Sequence, residues 1–209
     1  MALVIFLRGV NVGGYRRFRP RVVAQDLHRF DVVNVGAAGT FVVRKPVGQA
    51  RFRAELARCL PFDTHVMICS GRELLHLVSS SPLAGQPSGP HIVPFVSVLA
   101  KRRQPSSALP QRFPATGEWG VRVVGQQGRF VFGVYRRQMK AIGHLAQLDR
   151  LFGVPVTTRN WNTIMAIAQI LEPSQRVSHT ATTARAAKNE ADSRRRAEKR
   201  TASRPSADR

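Results

Sequence analysis

The chain opens with an apolar run that passes directly into a glycine-rich turn, A-L-V-I-F-L-R-G-V-N-V-G-G from Ala2 to Gly14. The apolar part, through Arg8, predicts a β-strand. Glycines are tolerated at such a place where a turn needs positive φ or where something must approach the backbone closely. The turn is therefore either a purely structural tight turn or a loop whose backbone N–H groups hold an anion. Its characteristic residues are Gly9, Asn11, Gly13 and Gly14.

Short strands and helices alternate after this turn. Pro20 suits the first position of a helix, and Val23, Leu27 and Phe30 place a buried stripe on it. The remaining elements are strands 32–35 and 40–44 around a G-A-A-G turn, a helix marked by Phe52, Leu56 and Cys59, and a strand at 64–69. This order, βαββαβ, is that of the ferredoxin-like unit.

A second, weaker copy of the same order follows. Ser70 and Glu73 form a capping-box pattern that opens a linking helix through Val78. The later elements are strand 92–99, a short helix near 107–112, strands 119–124 and 129–135, a helix with Met139, Ile142, Leu145 and Leu148 that stops at Gly153, a strand at 154–157, and a last helix with Trp161, Ile164, Ala168 and Leu171. We expect an α+β protein of two tandem ferredoxin-like units, the second degenerate.

The composition suggests where the domains begin and end. We expect a first unit at 1–78, a Ser-, Pro- and Gly-rich linker at 79–91, a second unit at 92–172 and a basic tail at 173–209. The tail has one large apolar residue, Val177, and is predicted to be disordered, with a marginal helix at 184–201 as the alternative.

The net charge of +21 is spread over the chain, with +6 in the tail and +15 in the first 172 residues. Arginine supplies 28 of the 33 basic residues, which a coding bias would also produce, so the charge predicts only weak, salt-sensitive attraction of polyanions. No run is long and apolar enough for a membrane span. Cys59 and Cys69 lie in apolar patterns and are expected to be reduced core thiols of a cytoplasmic protein.

A second polar cluster, T-T-R-N-W-N-T from Thr157 to Thr163, lies where the last strand meets the last helix. Helix capping by Asn160 or Thr158 explains one or two of its residues. Arginine, asparagine and tryptophan together would also suit ligand recognition by hydrogen bonds and stacking. The predicted ligand-binding residues in this cluster are Arg159, Asn160, Trp161 and Thr163.

The turn after the first strand carries the positive charge that an anion would need, from Arg8, Arg16, Arg17 and Arg19. Its spacing matches neither the phosphate loop nor the dinucleotide loop. No histidine or cysteine spacing predicts a metal site, and no carboxylate flanks either polar cluster in sequence. Thr40 and Cys69 are the candidate nucleophiles. The sequence identifies no cofactor, catalytic residue or oligomeric state.

Three segments resemble the bacterial domain-of-unknown-function family 1697: L-R-G-V-N-V-G-G, A-G-T-F-V-V from Ala38 to Val43, and V-P-V-T-T-R-N-W-N-T. The resemblance covers about residues 2–171. It implies two tandem α+β units of ferredoxin-like type and no established activity. Most relatives have S-G-N where this chain has Ala38-Gly39-Thr40, so a serine nucleophile is not expected here. The family's recurrent residues fall on Arg8, Gly9, Asn11, Gly13, Gly14, Gly39, Arg159, Asn160, Trp161 and Thr163.

Three functions fit these observations. The favoured one is a protein that binds a small anionic or phosphorylated ligand through the glycine-rich turn, Gly39, Thr40 and the Arg-Asn-Trp cluster. The second is a basic module that binds nucleic acid without sequence specificity, for which Phe130, Phe132 and Tyr135 lie on one strand. In the third, both polar clusters have a structural role only, with Asn160 and Trp161 buried between the two halves. A protein partner would then bind elsewhere on the surface.

Overall fold

The structure is a computed structural model that describes residues 1–11 and 17–172, without the side chain of Met139. Residues Met1–Leu171 form one compact unit. The predicted tail at 173–209 lies outside the described residues. Within them the chain is mixed α+β, with two antiparallel sheets and helices packed on their faces.

The first sheet has four strands in the order β2-β3-β1-β4, and every neighbouring pair is antiparallel. Its central strand β1 is buried along its whole length because Val4 and Phe6 face one core while Leu3, Ile5 and Leu7 face another. An uninterrupted apolar run is the pattern that a strand covered on both sides requires. The strands are β1 Leu3–Leu7, β2 Val32–Asn34, β3 Thr40–Val43 and β4 Val66–Ser70.

Three helices accompany this sheet, and two of them, α1 and α3, begin at the predicted signals. Helix α1 begins at Pro20, and Val23 buries its inner face. Helix α3 begins with the expected capping box, in which the Ser70 hydroxyl accepts from the Glu73 N–H at 3.2 Å and the Glu73 carboxylate accepts from the Ser70 N–H at 2.8 Å. The helices are α1 Pro20–Asp26, followed by a 3-10 turn at His28–Phe30, α2 Gln49–Cys59 and α3 Gly71–Ser79.

The second sheet has five antiparallel strands in the order β6-β7-β8-β5-β9. The helix expected near 107–112 is absent from the described residues; an irregular segment and the short strand β6 occupy this stretch. Pro105, Pro110 and Pro114 account for this, since proline lacks the N–H that a helix interior needs. The strands are β5 Ile92–Leu99, β6 Gln111–Phe113, β7 Val121–Gln127, β8 Phe130–Arg136 and β9 Val156–Asn160.

The single helix expected from Met139 to Phe152 is two short helices, α4 Met139–Leu145 and α5 Leu148–Phe152. Ile142, predicted to face the core, is 62% exposed. The helix ends where predicted, because Gly153 adopts φ +62° at its C-terminus. The last helix, α6 Trp161–Leu171, buries Ile164, Ile167 and Ala168.

The two sheets share a core. Val4 and Phe6 of β1 lie in the same apolar cluster as Val96 and Val98 of β5, together with residues of α3 and α6. Arg129 adds a polar link, because its guanidinium donates to the Ile68 carbonyl of β4 at 2.7 Å and to the Leu99 carbonyl of β5 at 2.9 Å. None of the helices in the described part of the chain is long and apolar enough to cross a bilayer.

Candidate functional site

The glycine-rich turn leaves the end of β1 through two residues in the left-handed region. Gly9 has φ +63° and Asn11 has φ +55°. Asparagine tolerates this conformation better than most residues because its short side chain bonds locally. Gly13, Gly14 and Arg16 lie outside the described residues, so their predicted roles stay predictions.

The Asn11 side chain ties the turn to the β2–β3 loop. Its amide nitrogen donates to the Ala37 carbonyl at 2.8 Å and to the Phe18 carbonyl at 3.1 Å. Its amide oxygen accepts from the Phe18 N–H at 3.0 Å. Both N–H groups of the amide are therefore used within the protein, and Asn11 joins Phe18 to the β2–β3 loop.

Arg159 is the polar centre of this region and is 7% exposed. A guanidinium has five N–H donors, and all five bond to oxygens of the protein. No carboxylate in residues 1–11 and 17–172 pairs with it, and burial lowers its pKa to about 10. The acceptors are the Thr40 hydroxyl at 2.7 Å, the Thr157 hydroxyl at 2.9 Å, and the carbonyls of Thr158 at 2.8 Å, Leu7 at 2.8 Å and Ala38 at 2.6 Å.

The two sequence motifs therefore meet at the β2–β3 loop, residues 35–39. Asn11 holds Ala37 from one side, and Arg159 holds Ala38 from the other. Gly39, with φ +66°, closes the loop against the Leu7 and Val10 side chains. Because its donors are all engaged, Arg159 supports this loop from behind and presents no free N–H to a ligand.

Arg8 joins the turn to β9 through an ion pair with Asp149. Its Nε also donates to the Val156 carbonyl at 3.1 Å, while the Asp149 carboxylate accepts from the Val156 N–H at 2.9 Å. Asp149 lies 141 positions from Arg8 in sequence. Sequence reasoning missed this carboxylate because no local pattern connects the two residues.

The other members of the Arg-Asn-Trp cluster begin α6. Asn160 is exposed, and its side-chain oxygen accepts from the N–H and the hydroxyl of Thr163, each at 2.8 Å. Asn160 therefore caps the start of α6. Trp161 is half-buried against the core between the sheets. The expectation that Asn160 is buried between the two halves is wrong.

A cleft of about 640 Å³ opens beside Asn11. Arg19 and Arg21 are both exposed on its wall, and none of its described lining residues is acidic. Asn34 also lines the cleft, and its side-chain oxygen is buried and has no hydrogen-bond partner among the described residues. The lining residues are Asn11, Phe18, Arg19, Pro20, Arg21, Val22, Asn34, Gly36 and Ala37.

Neither candidate nucleophile has the surroundings of a reactive group. Thr40 is fully buried and its hydroxyl accepts from Arg159. The Cys69 thiol is 1% exposed and donates to the Val4 carbonyl at 3.8 Å. Burial raises its pKa to about 12, so it stays protonated at neutral pH. Both cysteines are free thiols, and Cys59 is half-buried.

We expect an alkylating reagent at pH 8 to modify Cys59 of the folded chain at least about a hundredfold faster than Cys69, because thiolate fraction and access both control the rate. Mass spectrometry of the peptides over time measures both rates. The same experiment in denaturing urea is the control, where the two rates should converge. Equal rates in the folded chain would contradict the buried environment of Cys69.

The aromatic residues of β8 are core residues. Phe130 is 3% exposed, and Phe132 packs against the same cluster between the sheets. Tyr135 lies on the opposite face, against the other core of the second sheet. The nucleic-acid hypothesis therefore gains no stacking surface from this strand.

No family model matches the chain, and no curated protein gives a significant match. Among solved structures, its fold is similar to that of the conserved bacterial protein SP0830 from Streptococcus pneumoniae. The TM-score is 0.51 at 15% sequence identity, over 82% of this chain and 98% of that one. At this identity the similarity shows a shared α+β fold alone, and membership in family 1697 stays a prediction.

Proposed function

We propose that the protein binds a small anionic ligand in the cleft beside the glycine-rich turn. The proposal rests on one observation: two exposed arginines, Arg19 and Arg21, line the same cleft as Asn34, whose side-chain oxygen is buried and unpartnered among the described residues. The arginines would bind the anionic group, since a guanidinium suits carboxylate and phosphate geometry. A hydroxyl or N–H of the same ligand would donate to Asn34. Phe18 and Val22 offer apolar contact on the same wall.

The predicted site residues then have two kinds of role. Asn11 lines the cleft and shapes the turn. Gly39, Thr40 and Arg159 act as positioning residues, because they hold the Ala37–Ala38 segment on which the cleft wall depends. Arg8, by pairing with Asp149, fixes the start of the turn. The predicted motif residues therefore support the cleft, and the neighbouring residues Arg19, Arg21 and Asn34 would contact the ligand.

The strand orders support a finer description of the fold, as two tandem ferredoxin-like units. In the first sheet the second, third, first and fourth strands are neighbours in that order. In the second sheet β7-β8-β5-β9 repeat this order, with β6 added at the edge. An irregular segment that includes β6 takes the place of the first crossover helix. The repeat is consistent with the resemblance to family 1697.

Thermal unfolding of the full chain against phosphorylated sugars and dicarboxylates tests the ligand proposal. We expect one compound to raise the midpoint at both ~50 and ~200 mM salt through mass-action coupling. Removing both cleft arginines (Arg19→Gln with Arg21→Gln) should weaken its binding by at least about tenfold, because a hydrogen bond to a charged group contributes about 1.5–3 kcal/mol.

Arg72→Gln is the matched control, since Arg72 is exposed on α3 and does not line the cleft. It should leave the ligand-induced shift unchanged. A shift that persists in the double variant, or that appears only at the lower salt, would reject the cleft as the binding site.

A further inference from the structure

Two arginines lie directly opposite each other at the edge of the second sheet. Arg112 of β6 and Arg122 of β7 are Cα partners in the antiparallel register. Directly opposite residues project from the same face, with Cβ atoms about 4.5–5.5 Å apart, and like charges in this position destabilise a strand pair. Within the described part of the chain, no ion pair involves either guanidinium. The arrangement thus concentrates positive charge that the described residues do not neutralise.

The arginine pair lines a cavity of about 390 Å³. Its other described lining residues are Pro110, Gln111 and Trp119, so no acidic side chain is among them. The volume is within the range of about 300–1,000 Å³ that small-molecule sites occupy. Arg122 is half-buried, which reduces the solvent screening of its charge. The cavity therefore suits an anionic group of a small molecule.

Trp119 adds a planar surface to this basic cavity. The indole is half-buried, and the Arg136 guanidinium lies 4.8 Å from its ring centroid. Arg136 is itself held by an ion pair with Glu118, so the stacked arginine fixes the indole in place. A fixed tryptophan beside a pair of arginines is suited to a ligand that has both an aromatic ring and an anionic group.

We infer that this cavity binds a nucleoside phosphate, with the phosphate between Arg112 and Arg122 and the base against Trp119. The phosphate neutralises the cross-strand repulsion, and the guanidiniums donate to its oxygens. The site is separate from the proposed cleft, because the two share no lining residue. A base with a neighbouring phosphate occurs both in a free nucleotide and in single-stranded nucleic acid.

Titration of the full chain with AMP at ~200 mM salt tests this site. The chain has two tryptophans, so the variant Trp161→Phe reports on Trp119 alone, and calorimetry on the natural chain gives an independent affinity. We expect saturable quenching of Trp119 by AMP. Ribose 5-phosphate lacks the base and adenosine lacks the phosphate, and each should bind at least tenfold more weakly than AMP.

Arg112→Gln and Arg122→Gln should each weaken AMP binding at least tenfold. Arg102→Gln, at an exposed arginine of the same half that does not line the cavity, should leave it unchanged. A short oligothymidylate that binds more tightly than AMP and is lost in the same variants would place the nucleotide in a strand. The inference is overturned if neither probe binds, or if both single arginine variants retain the natural affinity within twofold.

Discussion

Replacing Arg159 with methionine should destabilise the folded chain by about 3–5 kcal/mol, because several buried oxygen acceptors lose their donors at about 1–3 kcal/mol each. The physical reason is the set of acceptors left behind. The Leu7 carbonyl and the Thr40 hydroxyl each lose a donor, and both residues are fully buried. An unsatisfied buried polar group costs about 1–3 kcal/mol. The relieved desolvation of the guanidinium offsets only part of this loss.

Urea unfolding at pH 7 measures the change, with Arg72→Met as the control at an exposed arginine. Arg159→Lys should recover only part of the stability, because an ammonium has three donors and lacks the planar fork. A loss below about 1 kcal/mol for Arg159→Met would mean that the five hydrogen bonds contribute little in solution.

The pH dependence of this difference has a definite sign. Burial lowers the pKa of Arg159 in the folded state to about 10, below the 12.5 of the free side chain. The unfolded chain therefore binds more protons between these two values, and the contribution of Arg159 to stability rises with pH only there. From pH 6 to 9 the group is protonated in both states. The difference between Arg159→Met and the natural chain should stay constant over that window.

The parts of the fold that sequence could predict depend on local patterns. The buried strand at Leu3–Leu7, the capping box of α3 and the stop at Gly153 each need only a few neighbouring residues. The helix expected near 107–112 does not form, because Pro110 lies inside the segment and Pro105 and Pro114 flank it. The prediction that Ile142 faces the core is wrong, because a three-residue spacing does not specify which helix face the sheet covers.

The sequence pointed to residues that lie close together in the fold, but it did not show which contacts each of them makes. Arg159 contacts Thr40 and Leu7, which lie 119 and 152 positions away, so no local pattern could show that its donors are engaged. Asn160 is a helix cap, a role that its position before α6 did allow. The cleft residues Arg21 and Asn34 carried no motif, and only the approach of the β2–β3 loop to the start of α1 reveals them.

Gly39→Ala should be the most damaging glycine substitution in the β2–β3 loop, at about 2–5 kcal/mol. Left-handed backbone costs a non-glycine residue about 1–2 kcal/mol, and overpacking adds about 1–3 kcal/mol. The overpacking follows from the geometry, because a Cβ at Gly39 would lie 2.8 Å from Val10 Cγ2 and 2.9 Å from Leu7 Cβ. Val10 and Leu7 are both buried, so neither can move into solvent.

Gly36→Ala is the matched control in the same loop, since Gly36 has φ +73° but a Cβ added there would meet no heavy atom within 4 Å. Urea unfolding should show it losing only the backbone part, about 1–2 kcal/mol. Equal losses at Gly36 and Gly39 would show that the loop relaxes away from Leu7.

Gly39 lies between Ala38 and Thr40, which both accept hydrogen bonds from Arg159, so a displaced loop also breaks those bonds. Gly39→Ala combined with Arg159→Met should therefore cost less than the sum of the single variants, by about 1 kcal/mol or more.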